Sequence, residues 1–348
     1  MKLNRSTPIR SLIRSPIRSP IRSMKCIILA GGFATRLWPL TENKAKPLLH
    51  LWDKPIISHI VEGLPRDIPI IIGTNAVFED DFKKWMSNYP ERAIEIVIED
   101  SKGDEVKKGA LGGTSFIIQE KNINDDLLLI AGDNYFGFQM SDFINAYNGN
   151  PILAAYDIGD FNAAKKFGVV VTKVAPALPS GRPRMQVSEF QEKPQFPKST
   201  LVSTGCYIFP KDNLKDIIEY ATQKKDNLGG IFEYLLQKGN QVDVYSFREK
   251  WFDIGSFDGY LNANKVLLGN KIIEKGTVTK QGQNKFIGGV FLGDNVTVTN
   301  SVIHDSVVLS GCRIENCVIR NCIVDENCTL KNIDLSHKMV RQGSVIHK

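Results

Sequence analysis

The stretch from Val290 to Leu330 reads VFLGDNVTVTNSVIHDSVVLSGCRIENCVIRNCIVDENCTL. An apolar, mostly β-branched residue recurs every five or six positions, with Gly, Asp and Asn between. No helical period fits this pattern. A repeat of about six residues predicts a parallel β-helix, in which each short strand forms one side of a triangular coil. One coil cannot bury its apolar face alone, so coils must stack. At about 18 residues per coil, roughly three left-handed coils are expected after a linker, over 270–348. Cys312, Cys317, Cys322 and Cys328 follow the same spacing, which reads as stacked small residues rather than a metal cluster. His304, a lone histidine in the array, reads as a surface or corner residue rather than a catalytic base.

Upstream the texture differs. The apolar runs CIILA, IPIIIG, IEIVIE and LLLIAGD predict buried strands. Amphipathic segments at Ile56–Leu64, Val77–Met86 and Ala110–Gln119 predict helices between them. PILAAYD, GVVVTKV, MQVSEFQE, STGCYIF and VDVYSF read as later strands, and Asn213–Thr222, Gly230–Gln237 and Phe257–Leu268 as helices. This alternation predicts an α/β domain over 24–269.

The net charge of +6 suggests a nucleic-acid partner until its distribution is seen. Lys2, Arg5, Arg10, Arg14, Arg18 and Arg22 lie in a tail of IRSP-like repeats without acids, so residues 24–348 balance to zero. Proline at this spacing predicts a disordered tail over 1–23. The folded part shows no charge bias toward nucleic acid. No apolar run approaches the roughly 20 residues of a membrane helix. The six cysteines contain no C-x-x-C pair, so a reduced cytoplasm is expected.

The stretch IILAGGFATRLWPL, Ile27–Leu40, ends a strand with two glycines and carries an arginine four residues later. It lacks the G-x-x-x-x-G-K-[ST] of a phosphate-binding P-loop and the G-x-G-x-x-G of a dinucleotide fold. Glycine lets backbone N–H groups approach an anion, and the arginine can clamp phosphate oxygens.

LAGGFATRLWPLTENKAKPLLHLWDKPIISHIVE resembles the nucleotidyltransferases that activate sugar-1-phosphates. It matches their pattern at Gly31, Gly32, Thr35, Arg36, Leu37, Pro39, Leu40, Thr41, Lys46, Pro47, Lys54 and Pro55, with Ala34 where glycine is usual. The methyl group is a small change there, one that could tighten the loop. The resemblance implies a Rossmann-like nucleotidyltransferase domain with a mixed, mainly parallel sheet, followed by a short left-handed parallel β-helix.

It also implies roles. Leu29, Ala30, Gly31, Gly32, Thr35, Glu99 and Gly112 would bind the nucleotide, with Arg36 on the leaving phosphates and Lys46 on the α-phosphate. In LLLIAGDNYF, Asp133 would be a Mg²⁺ ligand and Asn134 would meet the sugar phosphate. In SEFQEKP, Glu192 would bind sugar hydroxyls and Lys193 the sugar phosphate. Asp253 in WFDIGSFDGYLNAN would be the second metal ligand; the residue-level alternative is a helix cap. Gly168, Thr204 and Gly205 would line the sugar pocket.

The implied reaction joins a nucleoside triphosphate and a sugar-1-phosphate into an NDP-sugar, releasing pyrophosphate. The style of the motifs favours dTTP or UTP with glucose-1-phosphate. GTP with mannose-1-phosphate, or a non-catalytic regulatory relative, is the alternative. A homo-oligomer held by the β-helix is expected. The SKGDEVKK insertion after Glu99 leaves base choice open.

Overall fold

The computed structural model describes residues 23–99, 108–177 and 184–348. The tail before Ser23 and most of the SKGDEVKK insertion lie outside them. Nine strands form the main sheet: β1 (Met24–Leu29), β2 (Ile70–Asn75), β3 (Ile94–Glu99), β4 (Asp126–Ala131), β5 (Ile152–Asp157), β6 (Gly168–Ala175), β7 (Arg184–Glu192), β8 (Leu201–Phe209) and β9 (Asp243–Phe247). Their spatial order is β3-β2-β1-β4-β8-β5-β9-β7-β6. The continuous Ile, Leu and Val runs are explained by this layout: β1, β2 and β4 are covered on both faces, and Ile27, Ile28, Leu128 and Leu129 are fully buried.

The sheet is mixed, but less parallel than expected. β3, β2, β1 and β4 run parallel, as do β5 and β9. β8 lies antiparallel between β4 and β5, and β7 is antiparallel to both its neighbours. These four adjacent parallel strands position the site. Leu29 is level with Gly73 and Ala131, and Asn75 with Glu99. The loops leaving β1, β2, β3 and β4 therefore open on one edge, where open α/β sheets bind ligands.

One small element was not legible in advance. Asn134–Phe136 pairs antiparallel with Trp251–Asp253 as a separate two-stranded ribbon, Asp253 opposite Asn134. Among the described residues no helix is long and apolar enough to cross a membrane.

The repeat region stacks parallel strands. Val278, Val296, Arg313, Thr329 and Val345 begin five successive rungs of one face. The first pairing joins Val278 to Val296, and later ones join Thr297 to Arg313 and Arg313 to Thr329, so the coil shortens from 18 to 16 residues. More coils result than expected. The corners explain the Asn content: Asn295, Asn300, Asn316, Asn321, Asn327 and Asn332 all take positive φ, which Asn tolerates better than β-branched residues. The four cysteines are buried in the coil interior. His304 sits in a rung with its Nδ1 3.7 Å from Asp305 Oδ2.

The coil packs against the α/β domain through a shared core. Leu37, Leu40, Leu49 and Leu51 join Tyr260 and Leu261 of helix Phe257–Leu268 and Phe291, Val307 and Ile323 of the repeats. Ion pairs border it: Lys44 with Glu326 at 3.3 Å and Arg341 with Glu42 at 3.2 Å.

His50 lies in this seam, its ring centroid 4.5 Å from that of Phe291. Burial, helped by the charge of Lys275, pushes the imidazole down to about 3. The unfolded chain takes a proton near 6.5 that the folded chain refuses, so the folded state loses stability as pH falls from there toward 3. This group alone costs up to about 1.4 kcal/mol per pH unit in that window. His50→Leu is expected to give a visibly shallower fall of stability between pH 6.5 and 4 in urea titrations. An unchanged slope would show that His50 does not report on the seam.

Candidate active site

The glycine loop is held at both ends. Ala30 N–H donates to Gly73 O at 2.8 Å, and the Asn75 side-chain amide donates to Gly31 O at 3.1 Å. Thr41 Oγ1 closes the far end on Ala34 O at 2.8 Å. Thr74 and Asn75 are fully buried, and sequence reasoning missed both. The signal was a Thr-Asn pair ending an otherwise apolar strand.

Ala34 takes φ 48 and ψ 42. The departure from glycine is therefore conformational rather than one of size, and it costs about 1 kcal/mol. Gly32 and Arg36 are exposed on the loop, while Leu37 is buried beneath it. The loop thus presents its backbone and its guanidinium outward from an apolar anchor.

Asp133 follows β4 on the same edge. Lys46 Nζ donates to its Oδ2 at 2.5 Å, and the Asn134 amide donates to its Oδ1 at 2.8 Å. Asp133 O accepts from Ile254 N at 3.1 Å. The ribbon therefore brings Asp253 beside Asp133 across 120 positions of sequence. Asp253 does not cap the following helix. Ser256 does, its Oγ accepting from Gly259 N at 3.2 Å.

Protein packed around Asp253, and then the charge of Asp133, push its carboxyl above the usual carboxylate range. Lys46, Arg36 and Lys193 pull it back. Its side chain is nonetheless open to solvent, as the wall of an open cleft would be.

Two carboxylates and three cations thus converge from the β1 loop, Lys46, the end of β4, the ribbon and the end of β7. Two hard oxygen donors with too few protein partners to cage an ion suit a cation that also takes phosphate oxygens and waters. Among the described residues no cluster of three or more His, Cys, Asp or Glu supplies a fuller cage.

At the end of β7, Lys193 takes φ 45, and its N–H donates to Phe167 O at 3.1 Å. A β-strand ending on a left-handed lysine is strain of the kind found at functional positions. It leaves the side chain largely exposed, with Nζ 3.7 Å from Glu192 Oε1. Glu192 is opposite Gly168, and a Cβ at Gly168 would meet the Phe190 ring at 2.4 Å and Glu192 Oε2 at 3.2 Å. Burial raises the Glu192 carboxyl, an effect Lys193 opposes and Glu233 adds to.

Other expected residues have structural duties. Thr204 donates to Ala154 O at 2.9 Å, and Gly205 takes φ 77 inside a bulge of β8. Asn134 is buried between Asp133 and Trp251, whose indole donates to Asn134 Oδ1 at 2.9 Å. On helix Gly109–Glu120, Gly112 faces Lys108 and Lys225, whereas Gly113 faces Glu99. Leu29 and Ala30 supply the strand end below the loop, and Thr35 is exposed on it.

A model of the family described as "Nucleotidyl transferase" matches residues 25–270, which hold every one of these groups. The chain belongs to the nucleotidyl transferase family. A second model, "GlmU-like, C-terminal hexapeptide", matches residues 262–334. This family member is 27% identical, over 79% of its chain and 72% of the relative's, to a provisionally named mannose-1-phosphate guanyltransferase of Sulfolobus acidocaldarius. It is 26% identical to "Bifunctional protein GlmU" of Methanocaldococcus jannaschii, over 70% of this chain but 54% of that protein. A solved Bacillus anthracis structure, described as a glucose-1-phosphate thymidylyltransferase with sucrose, superposes with a TM-score of 0.58 at 24% identity. It covers 70% of this chain and 94% of that one, and the likeness is one of fold.

Proposed function

We propose that this nucleotidyltransferase converts a nucleoside triphosphate and a sugar-1-phosphate into an NDP-sugar and pyrophosphate. The observation that carries the reading is the ribbon pairing that sets Asp253 beside the Lys46–Asp133 pair, on the sheet edge where β1 gives way to the glycine loop. A phosphate oxygen of the sugar phosphate attacks the α-phosphorus, the bond from that phosphorus to the bridging oxygen breaks, and pyrophosphate leaves with the electron pair. No protein nucleophile is needed, so the residues act by positioning and charge.

Arg36 binds the departing phosphates, Lys46 the α-phosphate, and Lys193 the phosphate of the sugar, with Glu192 on its hydroxyls. Asp133 and Asp253 hold Mg²⁺, which neutralises phosphate charge when bound. Asn134 acts by fixing Asp133. Gly31, Gly32 and Thr35 cradle the triphosphate. Leu29 and Ala30 lie under it, and Gly168, Thr204 and Gly205 back the sugar pocket.

We read the repeat coil as left-handed, with the boundary near residue 270. It serves assembly into a homo-oligomer in the cytoplasm, and a monomeric mass in solution would refute that assignment. Pyrophosphate release from ATP, GTP, UTP, dTTP and CTP, each with glucose-1-phosphate and mannose-1-phosphate, tests the reaction. Silence across the whole matrix would favour a regulatory relative that binds without turnover.

A further inference from the structure

Helix Gly109–Glu120 begins without a side-chain cap, because Lys108 at its N-cap makes no such bond. A distant segment supplies the missing acceptors. Lys225 O accepts from Leu111 N at 2.9 Å and from Gly112 N at 3.0 Å, and Asp226 Oδ1 accepts from Ala110 N at 3.3 Å. Most of the N–H groups that a helix start leaves open are thus satisfied. The fit is close: Gly109 takes φ 73, and a Cβ there would stand 2.6 Å from Lys225 O. This first turn borders the glycine loop, since the Glu99 carboxyl packs between Gly31 and Gly113.

The same segment, residues 224–230, also reaches the sugar side. It joins helix Leu214–Gln223 to helix Ile231–Gln237. A Cβ at Gly229 would fall on Glu192 Oε2, so the backbone lies directly against that carboxyl. Glu233, in the first turn of the next helix, accepts from Glu192 N through Oε1 at 3.0 Å. Asn227 braces the segment between its two ends. Its Oδ1 accepts from Gly230 N at 2.9 Å, and its Nδ2 donates to the Tyr220 hydroxyl at 3.3 Å.

We propose that residues 224–230 are a strap coupling the two half-sites, so that nucleotide and sugar-1-phosphate each bind tighter when the other is present. This rests on the reading of the glycine loop as the triphosphate site and of Glu192 as the sugar contact. A nucleotide on the glycine loop fixes the neighbouring first turn of helix Gly109–Glu120. That turn holds the strap through its hydrogen bonds to Lys225 and Asp226. The strap and Glu233 in turn fix Glu192, by its side chain and by its backbone. The first substrate to arrive therefore orders the segment, and the second binds without that entropic cost. Coupling of this kind is reciprocal, so one factor must describe both directions. Asn227 and Glu233 are positioning residues, acting through the strap and Glu192.

The test is equilibrium binding to the full chain, with Mg²⁺, of the non-reacting α,β-methylene analogues of ATP, GTP, UTP, dTTP and CTP. Each is titrated alone and with glucose-1-phosphate or mannose-1-phosphate, and melting temperatures serve as the folding control. The wild type should bind its preferred analogue at least about fivefold tighter with one of the sugar phosphates present, and that sugar phosphate should gain by the same factor. Asn227→Ala removes the brace and should bring the factor to about one, with each single affinity within about threefold of wild type. Gly109→Ala, whose methyl group would push Lys225 off the helix, should do the same. A wild-type factor near one with both sugar phosphates would overturn the strap, and so would an undiminished factor in a folded variant. Either result leaves the nucleotide site itself intact. Failure of the folded wild type to bind any analogue would overturn the nucleotide reading, and this proposal with it. Should one variant fold poorly, the other decides; should both, the wild-type factor decides.

Discussion

Asp133→Asn and Asp253→Asn should each lower Mg²⁺-dependent turnover at least about 10²-fold, while melting temperature moves little. The ribbon sets Asp253 opposite Asn134, the neighbour of Asp133, and the charge of Asp133 adds to the burial that raises the Asp253 carboxyl. Neither is buried as a structural ion pair would be, and the helix after Asp253 is capped by Ser256. Removing one negative charge should weaken metal affinity, so excess Mg²⁺ should restore part of the rate. The measurement is rate against Mg²⁺ concentration for each variant. A wild-type Mg²⁺ dependence in Asp253→Asn, with a shifted one in Asp133→Asn, would reduce the site to one carboxylate. Asp133→Asn carries a second effect, because Lys46 loses its 2.5 Å partner and its own placement.

Arg36→Ala should cost on the order of 10²–10³ in kcat, the usual loss when one preorganised charge-stabilising donor is removed. Its side chain is exposed, so thermal stability should stay within about 0.5 kcal/mol. The neighbouring Leu37 is fully buried in the core shared with the repeats, which makes Leu37→Ala the contrasting variant. That change should destabilise the fold by about 2–5 kcal/mol. Activity of Arg36→Ala within about threefold of wild type would remove the arginine from the leaving-group site.

Most of the architecture was legible because its strands are continuous apolar runs and its repeat has a fixed period. The helix at Phe257–Leu268 falls where its pattern put it, and Ile56–Gly63 and Gly109–Glu120 differ from their expected ends by a residue. Trp251–Asp253 was not legible, since three residues carry no period and the ribbon exists only through pairing with a distant segment. For the same reason nothing in the sequence set Asp253 on a ribbon separate from the main sheet. The antiparallel course of β8 was also hidden, because burial on both faces looks the same in either direction. Coil length depends on corner geometry, and the spacing of apolar residues alone did not separate 16 from 18. The motif residues were readable by resemblance. The Asn75 clamp, the left-handed Lys193 and the opposition of Gly113 to Glu99 required coordinates.

The coil lies lengthwise along the catalytic domain, touching it at successive rungs from Phe291 to Ile323, at Glu326 and at Arg341. Free-standing repeat arrays can gain or lose units with little consequence, because each unit contacts only its neighbours. Here the repeat number is geared to a second surface. Excising one 16-residue coil would move every later rung by one strand spacing, about 4.8 Å, and carry Arg341 out of step with Glu42. Variation in length should therefore be confined to the end beyond Arg341, where an added coil disturbs no register.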